Sequence, residues 1–150
     1  MSASATPQLA QLTIRADTQE TRRASGWLAA AADANRVPAE AAIRLDHCLD
    51  EALANVIAHG GASARASPVE LELVIRRNSG ACAAELTLLY EGVPFDPSGH
   101  EPASRPANLA EAQLGGLGLL MLRQFSDAID YGREDGRNRL RITVNWTEAT

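Results

Sequence analysis

The run LDEALANVIAHG, residues Leu49 to Gly60, places a carboxylate, an amide and an imidazole at steps of four: Glu51, Asn55 and His59. Four residues is about one turn of α-helix, so the three side chains stand roughly one above another. An amide oxygen is a ligand for a hard cation, and a carboxylate one turn away can orient or deprotonate a water or a hydroxyl. The row borders the apolar stripe Leu45, Leu49, Ala52, Leu53, Val56, Ile57 rather than lying opposite it. Local spacing alone admits a solvated helix edge or the wall of a cleft.

Two glycine stretches follow. YEGVPFDPSG (Tyr90 to Gly99) ends an apolar run, where the backbone must turn. There Gly92 permits close approach to whatever fills a cleft, and Phe95 supplies an apolar wall. LGGLGLLML (Leu114 to Leu122) passes from glycines directly into a helical pattern. Backbone N–H groups at a helix start attract phosphate, and glycine lets it come near. A turn or a packing cap explains each stretch equally well in isolation, and neither matches the dinucleotide fingerprint.

The elements that must carry these residues are legible by pattern. QLTIRA (11–16) alternates as a strand, and Asp17 or Thr18 can cap the helix that follows, with Glu20 in its first turn. Pro38 suits the start of a second helix that runs from about Ala39 to His59 and stops at Gly60-Gly61. PVELELVIRR (68–77), with Val69, Leu71 and Val74 alternating imperfectly, and ACAAELTLLYE (81–91) read as a hairpin about Asn78-Ser79-Gly80. Residues 92–108 hold four prolines and no periodicity, the texture of a long loop. GGLGLLMLRQFS resumes as a helix. DAIDYGRE and NRLRITVNW read as two final strands about Glu134-Asp135-Gly136, and the tail TEAT is expected to fray. The order implies an α+β two-layer sandwich, a mixed, mainly antiparallel sheet with helices on one face.

Composition narrows the function. A chain of 150 residues favours one domain, taken as 1–150 with a core over about 9–146. The net charge of −5 gives no footprint for nonspecific nucleic-acid binding and no polybasic membrane patch. No apolar stretch approaches the roughly 20 residues that span a bilayer, and the N-terminus lacks signal-peptide character, so a cytoplasmic protein is expected. Cys48 and Cys82 belong to no metal-binding or redox spacing and read as buried reduced thiols. All 14 basic residues are arginine, which excludes a P-loop lysine, a Schiff-base lysine and a lysine general base.

Taken in order, the motifs resemble the GHKL ATPase superfamily and, within it, the small anti-sigma factor serine kinases of the RsbW type. Glu51-x-x-x-Asn55-x-x-x-His59, Tyr90-x-Gly92-x-x-Phe95-Asp96-Pro97 and Gly116-x-Gly118-Leu119 carry the resemblance, with Asp127 and Tyr131 in FSDAIDYG, over about Leu9 to Trp146. It implies a Bergerat-type, histidine-kinase-like ATPase domain that binds ATP and Mg²⁺. Asn55 would hold Mg²⁺ and Glu51 would be the general base toward a serine hydroxyl. Tyr90, Gly92 and Phe95 would line the adenine pocket. Gly116, Leu117, Gly118 and Leu119 would sit at the phosphates, residues 98–114 would form the ATP lid, and Arg105 is a candidate for added positive charge. The implied partners are an anti-sigma factor antagonist of the STAS type and a sigma factor, with no direct nucleic acid, and a homodimer is compatible. One position departs. The family places an aspartate, which accepts from the adenine amino group, where this chain has Tyr90. Glu91 is adjacent, but on a strand it points to the other face. Two functions follow: an ATP-dependent serine-protein kinase that regulates transcription by partner switching, or a partner-binding module of the same fold with weakened or lost nucleotide binding. A histidine-kinase catalytic domain fits less well, because dimerisation helices and a phospho-acceptor domain are missing from the pattern.

Overall fold

The fold is seen in a computed structural model, which describes residues 7–94 and 122–149. The elements are β1 (Gln8–Arg15), α1 (Thr18–Ala34), α2 (Ala39–His59), α3 (Gly61–Ala66), β2 (Pro68–Asn78), β3 (Ala81–Tyr90), β4 (Ala128–Glu134) and β5 (Arg137–Thr147). The strands form one sheet in the order β1-β2-β3-β5-β4, and every pairing among them is antiparallel. This is the expected sandwich.

Each element has a local cause. Asp17 starts α1 by accepting the Glu20 N–H at 2.8 Å. The β2–β3 and β4–β5 hairpins close on Ser79-Gly80 and Asp135-Gly136, whose positive φ values of 52° and 90°, and 52° and 79°, suit a tight turn that matches strand twist. Along β2 the buried set is Val69, Leu71, Leu73 and Ile75. Val74 lies on the opposite face, as the strict period of two requires, and this is why Val69, Leu71 and Val74 alternate imperfectly. The same parity buries Ala84, Leu86, Leu88 and Tyr90 on β3, and Leu140, Ile142 and Val144 on β5. Against this face lie Leu28 of α1 and Leu45, Leu49, Ala52, Leu53 and Val56 of α2. Both thiols are free and buried.

Three features differ from expectation. Strand β1 begins three residues earlier than Gln11, at Gln8, because β2 is long enough to pair with it out to Ile75. Helix α2 ends at His59 as expected, but the chain re-enters helix at once as α3, with Ala64 buried in the core. The tail is held rather than frayed at Glu148. Its N–H donates to the Gly80 carbonyl at 2.8 Å, and its carboxylate accepts from Arg77 Nε and Trp146 Nε1, each at 3.2 Å.

Candidate functional site

The polar row lies on the side of α2 that borders the core. Glu51, Asn55 and His59 are all half-buried, neither in the core nor on the solvated side. Asn55 Nδ2 is a buried nitrogen with no hydrogen-bond partner among the described residues. An unpaired buried polar group costs about 1–3 kcal/mol, so such a group in a folded protein calls for a ligand, an ion or a water. The amide can turn about its terminal torsion and offer either its nitrogen or its oxygen there. The position therefore fits a cation or a phosphate oxygen. No cluster of three or more His, Cys, Asp or Glu residues able to hold a metal is present among the described residues.

Burial pushes the Glu51 carboxyl up from its usual 4.5, the negative charge of Asp50 raises it further, and His47 one turn earlier draws it partly back. A carboxylate so displaced is a better proton acceptor than a solvated one. The Cys48 thiol, between these residues on the core side, is pushed up to about 12 by burial and stays protonated.

The turn after β3 abuts the end of this helix. Gly92 has φ 130°, in the region that favours glycine, and a Cβ there would stand 2.5 Å from the Gly60 carbonyl oxygen and 3.0 Å from Ala64 Cβ. The Val93 N–H donates to that carbonyl at 3.2 Å. Gly60 is as tightly placed: its own Cβ would meet Ala64 Cβ at 2.4 Å. At 1.5 Å rise per residue, Asn55 lies about 7 Å along the helix from Gly60, and Glu51 about 13 Å. The row thus runs away from the Gly92 turn along a single helix. Gly92→Ala is expected to destabilise the fold by about 2 kcal/mol or more, since it combines backbone strain with backbone overlap. Urea denaturation measures this as a lower midpoint at unchanged slope.

Tyr90 is 4% exposed, on the helix-covered face, with Asn138 of β5 as its cross-strand partner. Glu91, by contrast, is exposed, as its parity required. Asn138 is fully buried and satisfied. Its Oδ1 accepts from the Tyr131 hydroxyl and from Arg133 Nη1 at 3.0 Å, and its Nδ2 donates to the Gly92 carbonyl at 3.3 Å. It ties β4, β5 and the Gly92 turn together. Sequence reading overlooked it, though a signal existed: Asn138 shares parity with Leu140, Ile142 and Val144, so an amide stands in an apolar set.

At the other end of the row, Arg44 of α2 fastens the segment that follows the second glycine stretch. Its Nε donates to the Phe125 carbonyl at 3.0 Å, Nη1 to the Asn145 carbonyl at 3.4 Å, and Nη2 to Asp127 at 2.9 Å. The Asp127 carboxylate also accepts the Asn145 N–H at 2.6 Å. His47 stacks on Phe125, with ring centroids 4.7 Å apart and planes 18° from parallel. Loss of the guanidinium in Arg44→Met leaves carbonyls and a carboxylate short of donors. It is expected to cost about 1–3 kcal/mol, read by thermal or urea unfolding. Phe95, Gly116, Leu117, Gly118, Leu119, Arg105 and the segment 98–114 lie outside the described residues.

Residues 14–144 match the family model of the histidine kinase-like ATPase domain. The chain belongs to that family. Among curated proteins, this histidine kinase-like ATPase domain is 32% identical over 117 residues to the serine/threonine-protein kinase BtrW of Bordetella bronchiseptica, spanning 78% of this chain and 80% of the relative. Among solved structures it is similar to a chain of the SiaB-SiaC complex from Pseudomonas aeruginosa, at 19% identity and a TM-score of 0.47, covering 91% of this chain and 89% of that one. No described helix of the domain is long and apolar enough to cross a membrane.

Proposed function

We propose that this protein is a partner-switching regulator that transfers phosphate from Mg·ATP to a serine of an antagonist protein, and that it also sequesters a sigma factor. The observation that carries the reading is the half-buried Glu51–Asn55 row running from the Gly92 turn, with an unpartnered amide nitrogen at Asn55. The likeness to a curated serine/threonine-protein kinase over most of both chains supports it. Asn55 would hold Mg²⁺, and Mg·ATP when bound supplies the phosphoryl group and neutralises its developing charge. Glu51 accepts the proton of the substrate hydroxyl, for which its raised proton affinity suits it. The Gly92 turn would line the base end of the nucleotide pocket, where the absence of a side chain permits close approach. The domain is read as spanning 1–150, in the cytoplasm.

A second reading keeps the partner binding and drops the chemistry. It is favoured by a specific observation: at the base end, where the resemblance requires an accepting carboxylate, the side chains are Tyr90 at 4% exposure and Asn138 at 0%, with Asn138 already bonded within the protein. Calorimetry with Mg·ATP and Mg·ADP separates the two. Binding at or below millimolar nucleotide, followed by transfer of labelled phosphate to a serine of a STAS-type antagonist protein, supports the kinase. Absence of heat at millimolar nucleotide supports the binding module.

A further inference from the structure

We propose that the outer edge of β1 and the adjoining flank of α1 form a groove that takes the carboxyl-terminal tail of a partner protein as an added strand, antiparallel to β1. The inference goes beyond the phosphoryl-transfer reading and uses none of its residues. β1 closes one side of the sheet and β4 the other. The edge strand of an antiparallel sheet turns the N–H and C=O of every second residue outward. Proteins blunt such edges with charge, proline, a bulge or a covering element. β4 carries Asp130, Arg133 and Glu134. β1 has no such device: from Gln8 to Ile14 it holds no charge and no proline, its pairing with β2 runs in unbroken register, and no described strand pairs with its outer edge. Only the far end is engaged, where the Arg15 N–H donates to Glu20 Oε1 at 3.4 Å and the Arg15 carbonyl accepts from the Asp17 N–H at 2.9 Å.

Helix α1 supplies a wall along this edge. Its Ser25 hydroxyl bonds Asp46, which fixes the side of α1 that meets α2. Glu20 reaches β1 from the other side, and Trp27 and Ala34 follow it at steps of seven, two turns each, along the same flank. Trp27 is half-buried and packed against the core. On the helix-free side of β1, Leu9 is 59% exposed. An added strand therefore meets apolar surface on both of its faces. The lengths agree as well, since the strand β1 spans about 26 Å and the helix α1 about 25 Å.

The groove ends at a cavity of about 490 Å³ beside Gln8, the first residue of β1, with Asn35, Arg36, Arg77 and Glu148 also in its lining. Arg77 is fixed there: Nη2 donates to the Asn35 carbonyl at 2.5 Å and Nε to Glu148 at 3.2 Å. Arg36 forms no ion pair among the described residues. Two guanidinium groups against one carboxylate leave an excess positive charge in a protein whose net charge is −5. A strand antiparallel to β1 delivers its carboxyl end to Gln8, so the excess charge stands where a terminal carboxylate arrives. This polarity selects a carboxyl-terminal tail. The groove lies on the side of α1 away from α2, so its occupancy leaves the Glu51–Asn55 row uncovered.

The test titrates a fluorescein-labelled octapeptide of alternating threonine and valine, with a free carboxyl terminus, with the full chain and reads fluorescence anisotropy. Binding is expected at a Kd of about 100 µM or tighter, and the amidated peptide is expected to bind about tenfold more weakly, the effect of losing a charge-assisted bond. Arg36→Asn keeps a residue type that tolerates the positive φ of 58° at this position. It is expected to weaken the free acid about tenfold and to leave the amide unchanged, with circular dichroism melting to confirm the fold. Two further peptides, N-methylated at one or the other alternate set of residues, separate strand addition from general adhesion. The set whose N–H groups face β1 loses binding and the other keeps it. No binding of the free acid at about 0.5 mM chain, equal affinity of the two N-methylated peptides, an amide as tight as the acid (an internal segment as the occupant), or an Arg36→Asn variant indistinguishable from wild type would each overturn the proposal.

Discussion

Glu51→Gln is expected to lower phosphoryl transfer to the antagonist serine by about 10²–10⁴-fold, the usual contribution of a positioned general base. The substitution keeps the shape and removes the proton acceptor, so Mg·ATP affinity by calorimetry stays near wild type while single-turnover transfer collapses. The pH profile gives an independent check. Burial and Asp50 raise Glu51 above 4.5, so the acidic limb of the rate profile is expected to fall at a pH higher than an unperturbed glutamate would give, and to vanish in the glutamine variant. The stability consequence has a definite sign. A carboxyl that is harder to ionise in the folded chain than in the unfolded one binds more protons when folded, so stability declines as pH rises from near 4.5 through the raised value. Above that window Glu51→Gln is expected to match or exceed wild type in thermal stability. A loss of transfer together with retained or increased stability separates a functional carboxylate from a structural one. Transfer undiminished in the variant sinks the assignment of the base.

Tyr90→Asp has the second large expected effect, and it runs toward gain. A carboxylate accepting from a buried amino group contributes on the order of 1.5–3 kcal/mol, equivalent to about tenfold to a hundredfold in affinity for Mg·ATP or Mg·ADP. The position makes the effect readable. Tyr90 is buried on the helix-covered face beside Asn138, whose oxygen is already taken by Tyr131 and Arg133, so the neighbouring amide offers no acceptor to replace the missing one. The same burial makes an ionised aspartate costly without a ligand, so the unliganded variant is expected to melt below wild type and to recover on nucleotide addition. If wild type binds no nucleotide at millimolar concentration and the variant does, the chain is a partner-binding module that has closed its base pocket. If both bind equally, position 90 does not face the base, and the motif alignment at Tyr90-x-Gly92 is wrong.

Arg44 and Asn138 show how the candidate site is braced at both ends. Arg44 and His47 attach Phe125 and Asp127 to the first half of α2, and Asn138 attaches the Gly92 turn to β4 and β5. Between them α2 acts as a ruler, because residues on one helix are held at fixed spacing. Weakening either brace is expected to loosen the relation between the row and its neighbours before it unfolds the sheet.

The parts that depend on short-range periodicity were legible in the chain before any fold was known. Steps of four placed Glu51, Asn55 and His59 on one side of a helix, alternation located the strands, and Ser79-Gly80 and Asp135-Gly136 marked the hairpins, because these patterns follow from backbone geometry within a few residues. Motif order also indicated the family that residues 14–144 match. Which residues far apart in the chain meet is set by the packing of sheet and helices. That Gly92 lies against Gly60, that Arg44 reaches Phe125 and Asp127, and that Asn138 bonds Gly92, Tyr131 and Arg133 are contacts across 32 to 83 positions or across a strand pair. No local pattern encodes them, because they arise from the order in which strands pair and the angle at which α2 crosses the sheet. The helix re-entry at Gly61 and the capture of Glu148 by Arg77 and Trp146 were hidden for the same reason. A segment of glycine and alanine, or a four-residue tail, acquires its structure from what it packs against and not from its own propensity.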